Sequence, residues 1–124
     1  MGEILFRDES YKIIGLCMEV HRQLGHGFKG IVYKDALEHE FRQHHIPFSR
    51  EQKYIITYKE IILPHGYFAD FVVYGGIVLE IKARPVTVSG FVTQTVNYLK
   101  ASGLRLGIIA NFGRASFESQ RVVF

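Results

Sequence analysis

In the first quarter of the chain apolar residues return every three or four positions. Ile13, Cys17, Val20 and Leu24 would line one face of a helix that Asp8 or Ser10 can cap and Gly25-His26-Gly27 ends. A second helix is predicted from near Gly30, with Tyr33, Leu37 and Phe41 on its apolar face, Ala36 beside them and Pro47 stopping any continuation. From 48 to 63 the pattern turns to strand, rich in Ile and Tyr and broken at Lys59-Glu60, and Pro64-His65-Gly66 reads as a turn. Two strand-like runs, 67–74 and 77–83, meet at Gly75-Gly76. A third helix follows Pro85, with Val92, Val96 and Leu99 on its apolar side and Gly103 as a cap after its end. Residues 104–110, uncharged after Arg105, have the character of a buried central strand, and Val122-Val123-Phe124 that of an edge strand. The order α-α-β-β-β-α-β, with one more strand at the end, predicts an α/β fold, and no repeat, linker or low-complexity segment divides residues 1–124, which read as one domain.

The two runs around the glycines carry the candidate chemistry. Asp70, Glu80 and Lys82 stand among apolar strand residues, where an unpaired charge costs several kcal/mol. Glu80 and Lys82 are two apart and share a face, while Leu79, Ile81 and Ala83 point to the other. A two-residue turn at Gly75-Gly76 would pair Tyr74 with Ile77 and leave Asp70 on the wrong face, because one residue of register flips every side chain. Convergence therefore requires a three-residue loop or a bulge. Given convergence, two close carboxylates suit a hard cation such as Mg²⁺ or Mn²⁺, with Lys82 placed to orient an activated water or stabilise its hydroxide form. An Asp-Lys or Glu-Lys ion pair at the rim of a sheet, needing no metal, is the alternative use of the same residues.

Composition bounds the picture further. The 124 residues are 48% hydrophobic, with 10 Phe and 7 Tyr, which excludes a disordered chain. A net charge of +3 and a pI near 9.1 permit a polyanionic partner without requiring one. The single cysteine, Cys17, excludes an internal disulfide and reads as a buried small hydrophobe. Charges at Glu3, Arg7, Asp8 and Glu9 argue against a signal peptide, and no apolar run is long enough to span a bilayer, so a soluble cytoplasmic protein without membrane partners is expected. His39, His44 and His45 match no usual zinc spacing, and His65 reads as a solvated turn residue. Lys53, Arg84, Lys100, Arg105 and Arg114 could form a basic rim for a nucleic-acid backbone, although scattered surface charge is the default.

Asp70, Glu80 and Lys82 on consecutive strands, followed by a helix and a buried strand, resemble the PD-(D/E)xK nuclease superfamily. Gln94-Thr95-Val96-Asn97-Tyr98 resembles the Q-xxx-Y element of its RecB-like branch, and Gln94 and Tyr98 at i, i+4 share a helix face. More closely, the chain resembles the GxxExxY family of small bacterial and archaeal proteins. The matching segments are 14–27 with Glu19-Val20-His21, 27–37, 66–70, 79–83, 97–107 and Asn111-Phe112-Gly113, spanning roughly residues 10 to 113.

The resemblance implies a restriction-endonuclease-like core, a mixed β-sheet flanked by helices. It implies an Mg²⁺- or Mn²⁺-dependent nuclease acting on nucleic acid, DNA ahead of RNA. In that reading Asp70, Glu80 and the Ile81 backbone carbonyl hold the metal, Lys82 acts on the water, and Gln94 and Tyr98 support substrate or Lys82. A chain this small has little room for its own target-recognition domain, so a homodimer or a protein partner is expected. One position departs from the pattern: Gly27 and Tyr33 are in place, but Gly30 stands where the family's helical acid should complete the metal shell, with Glu19 a possible substitute. That departure keeps two further readings open. One is a nuclease-derived nucleic-acid-binding module that has lost catalysis, and the other is a protein-interaction domain.

Overall fold

A computed structural model describes residues 4–86 and 88–124, so Glu3 lies outside the described residues. The elements are α1 (Arg7–Leu24), α2 (Gly30–Gln43), β1 (Phe48–Tyr54), β2 (Thr57–Tyr58), β3 (Ile61–Ile62), β4 (Tyr67–Val73), β5 (Ile77–Lys82), α3 (Gly90–Ser102), β6 (Leu106–Asn111) and β7 (Glu118–Val123). Strands β1, β4, β5, β6 and β7 form one sheet in that spatial order. Only β5 and β6 run parallel, as the α3 crossover between them requires, so the sheet is mixed. The run at 48–63 divides into β1 and a separate β2–β3 hairpin that turns at Lys59 and Glu60. No helix among the described residues is long and apolar enough to cross a membrane.

Strand alternation sends two sets of side chains to two helical layers. Ile77, Leu79 and Ile81 of β5, with Phe71, Val73, Leu106 and Ile108, pack beneath α1 and α2 through Ile13, Cys17, Val20, Tyr33, Leu37 and Phe41. Val72, Val78, Ile109 and Val122 pack on the other side against Leu99 of α3. Gly107 admits α3 closely, since a Cβ there would meet Thr95 Cγ2 at 2.5 Å. Every residue of β6 is buried, as its apolar run predicts, and β7 is an edge strand that begins earlier than the terminal valines suggest.

Helix α1 corrects one expectation. Neither Asp8 nor Ser10 is its N-cap; the helix starts at Arg7 after Phe6, which has φ 53° and no capping side chain. The Ser10 hydroxyl instead donates to the Phe6 carbonyl at 2.7 Å, and Asp8 and Glu9 sit in the first turn, where the helix dipole favours them. Phe6 packs against the core and its ring lies over Gly76, so an aromatic anchor rather than a polar cap sets the start.

Candidate active site

The turn between β4 and β5 brings the two carboxylates to one place. Val73 pairs with Ile77, so Tyr74, Gly75 and Gly76 form a three-residue loop. Tyr74 and Gly75 take φ 56° and 67°, and the Gly76 N–H donates to the Val73 carbonyl at 3.2 Å. Gly76 serves differently: a Cβ there would meet the Phe6 ring at 2.6 Å. The paired register ends at Phe71–Leu79, and the next residues on the two strands, Asp70 and Glu80, come into contact through a side chain, as convergence requires.

At that point side chains replace the backbone ladder. The Asp70 N–H donates to Glu80 Oε2 at 3.0 Å, and the Ile81 N–H donates to Asp70 Oδ2 at 2.8 Å. The β1–β4 ladder skips the same place. Arg50 pairs with Phe71 and Gln52 with Ala69, while Glu51 between them has φ 55°. That left-handed conformation costs a non-glycine residue roughly 1–2 kcal/mol. Glu80 is 4% exposed, and burial, reinforced by the neighbouring Asp70 charge, pushes its carboxyl up to about 7.

Lys34 on α2 completes this side of the site, and sequence reasoning missed it. Its Nζ donates to Glu51 Oε1 at 2.8 Å and to Asp70 Oδ1 at 3.3 Å. Burial works against its charge, but the bond to Glu51 and the charges of Asp70 and Glu51 outweigh it and hold the ammonium above its usual range. The one sequence signal is spacing, since Lys34 follows Gly30 by one helical turn and shares its face.

Lys82 shares the Glu80 face of β5. Its Nζ donates to Gln94 Oε1 at 2.9 Å and lies 4.9 Å from the Phe91 ring centroid. The backbone behind it is braced by Asn111-Phe112-Gly113. The Phe112 N–H donates to the Lys82 carbonyl at 2.8 Å. Asn111 Oδ1 accepts from the N–H groups of Arg84 and Gly113 at 3.1 and 3.0 Å. A Cβ on Gly113 would collide with the Arg84 backbone.

Tyr98, one turn after Gln94, stacks flat on Tyr67 with ring centroids 3.8 Å apart, and Tyr67 stacks on Tyr54 at 5.3 Å. Burial raises the Tyr98 phenol, and the charges of Glu80 and Asp70 add to the effect. Gln94 and Tyr98 thus lie on the side of the sheet that carries Lys82 and Glu80.

Other candidates fall elsewhere. Glu19 is engaged by Arg22 and, at 2.9 Å, by Gln23 of its own helix. His21 Nε2 lies 2.8 Å from the Arg114 carbonyl, with the ring near Phe112 and Phe117, which makes it a packing residue. Cys17 is fully buried and burial pushes its thiol up, as a small core hydrophobe requires. Lys53, His65, Arg84, Lys100, Arg105 and Arg114 are all exposed.

No three or more His, Cys, Asp or Glu side chains among the described residues group into a metal cage. The donors that do converge, Asp70 and Glu80, are hard oxygens, and the Lys34 ammonium resting on Asp70 marks the place as one that holds positive charge. This set fits an ion such as Mg²⁺, which takes one or two carboxylates and keeps several waters.

Comparison with known proteins bears on the fold and the family. No curated protein matches the chain. A solved structure titled "Crystal structure of SSO0001" superimposes with a TM-score of 0.62 at 17% identity, over 76% of this chain and 49% of that one. The present chain thus spans about half the length of that structure, and the likeness is one of fold, consistent with a restriction-endonuclease-like core. The model of the PD-(D/E)XK nuclease superfamily matches residues 7–122, nearly the whole chain, and to that superfamily the chain belongs.

Proposed function

We propose that this chain is a single PD-(D/E)xK domain of the GxxExxY type, in the RecB-like branch, that hydrolyses phosphodiester bonds in nucleic acid, DNA ahead of RNA, with Mg²⁺ or Mn²⁺. The observation that carries this reading is the three-residue turn, which sets Asp70 against Glu80 with Lys82 on the Glu80 face. Asp70, Glu80 and the Ile81 carbonyl would hold the cation. Bound there, it supplies charge neutralisation at the phosphoryl group and a more acidic water. Lys82, held at its tip by Gln94 and behind by Phe112 and Asn111, presents a fixed ammonium to orient that water and stabilise growing negative charge. Tyr98, fixed by its stack on Tyr67, gives the substrate side a rigid aromatic wall. The exposed basic residues offer contacts to a phosphate backbone.

A second reading has its own observation. Gly30 leaves α2 without the acid that the GxxExxY pattern expects, and Lys34 already sits on Asp70. A nucleic-acid-binding module with weakened or absent catalysis is consistent with both.

One experiment separates the two. Calorimetric titration with Mn²⁺ or Mg²⁺ is followed by cleavage assays on single- and double-stranded DNA and RNA. The nuclease reading expects metal-dependent cleavage that Asp70→Ala, Glu80→Ala and Lys82→Ala each abolish; cleavage that survives all three refutes it. Salt-sensitive binding with no metal uptake and no cleavage establishes the binding module instead.

A further inference from the structure

Lys34 occupies one approach to the Asp70 carboxylate. Asp70 Oδ2 is committed to the Ile81 N–H, and Oδ1 accepts from Lys34 at 3.3 Å, so both oxygens are engaged. The lysine reaches this spot through two further features. Glu51 leaves the β1–β4 ladder at φ 55° and holds the same ammonium at 2.8 Å. One turn earlier on α2, Gly30 has nothing within 4 Å of where a Cβ would lie, so no side chain there draws Lys34 away.

We propose that Lys34 is a built-in counter-cation of Asp70 that competes with the divalent ion for that carboxylate, and that Glu51 is the berth that retains it when the ion enters. This rests on the metal-dependent reading above. Metal-free, the ammonium offsets the repulsion between Asp70 and Glu80 that an adjacent pair of carboxylates suffers. With metal present, Asp70 would turn to the ion and Lys34 would keep its bond to Glu51. The pair is only partly screened, with 17% of the Lys34 side chain exposed against 18% for Asp70. Competition of this kind weakens metal affinity by about five- to tenfold, the effect of an ion pair worth about a kcal/mol.

The test titrates Mn²⁺ alone into the wild-type chain and into Lys34→Met and Lys34→Gln by calorimetry, and melts each with and without the ion. Both neutral variants should bind Mn²⁺ about five- to tenfold more tightly. Without Mn²⁺ they should melt below the wild type, and Mn²⁺ should raise their melting temperatures by more. Lys34→Arg, which keeps the charge, should stay near wild-type affinity. Equal or weaker Mn²⁺ binding in both neutral variants, with Asp70→Asn still abolishing it, overturns the counter-cation while leaving the metal site standing. Absence of Mn²⁺ binding in every variant overturns the metal-dependent reading and this inference with it.

Discussion

Burial of Glu80 should make the metal-free protein lose stability as pH rises, and Glu80→Gln should remove that loss. The carboxyl titrates at about 7 in the folded chain against an ordinary 4.5, chiefly because it is buried and then because Asp70 lies beside it. The folded state therefore binds the proton more tightly than the unfolded state. Its contribution to stability is complete below about pH 4.5, falls as pH climbs and is gone above the folded value. At about 1.4 kcal/mol per unit the whole shift corresponds to roughly 3 kcal/mol, of which about 2–3 kcal/mol falls between pH 5 and 8.5. Denaturant unfolding of both proteins in a chelator at those two pH values measures it, because histidines and other titrating groups cancel in the comparison. Glutamine keeps an oxygen to accept the Asp70 N–H, so the bond at 3.0 Å need not be lost. The variant should match the wild type near pH 5 and exceed it by about 2–3 kcal/mol near pH 8.5. Parallel profiles would show that Glu80 does not ionise against a buried, charged neighbourhood, and would remove the electrostatic basis given to the site.

Three further outcomes are expected. Gly30→Glu has open space at its Cβ and would stand one turn before Lys34, an i, i+4 pair worth about 0.2–0.5 kcal/mol, so it should fold normally and raise Mn²⁺-dependent cleavage; unchanged cleavage would show that the missing acid at Gly30 does not limit catalysis. Asn111→Ala strips the acceptor from the Arg84 and Gly113 N–H groups and should cost about 2–4 kcal/mol in denaturant unfolding, with a loss under 1 kcal/mol counting against the brace behind Lys82. Gly113→Ala drives a Cβ into the Arg84 backbone and should destabilise by about 1–3 kcal/mol, whereas Gly15→Ala, with nothing near its Cβ, should be neutral or stabilising by thermal melting.

The helical faces of α1 and α2, the buried run of β6 and the Gly103 cap were legible in the sequence because each depends on local periodicity or on one residue's backbone freedom. Ile13, Cys17, Tyr33, Leu37 and Phe41 all reach the core, and Gly103 closes α3 at φ 76°. The pairing of Asp70 with Glu80 was legible only as a condition. Two adjacent glycines allow several connections, and the choice of a three-residue loop belongs to the assembled sheet, where Phe6 lies over Gly76 and Val73 finds Ile77. The same ring moved the start of α1, since tertiary packing of an aromatic replaced the polar cap that local chemistry would favour. The contacts of Lys34, Glu51 and the Asn111 brace were beyond the sequence, although helical spacing puts Lys34 on the Gly30 face. They meet across separations of 17, 36 and 27 residues, and no local pattern encodes such contacts. The sequence by itself singled out the candidate groups, Asp70, Glu80 and Lys82, because their charges stand in an apolar run. Tertiary structure decided which cation faces Asp70, because that depends on how α2 and β1 are laid against β4.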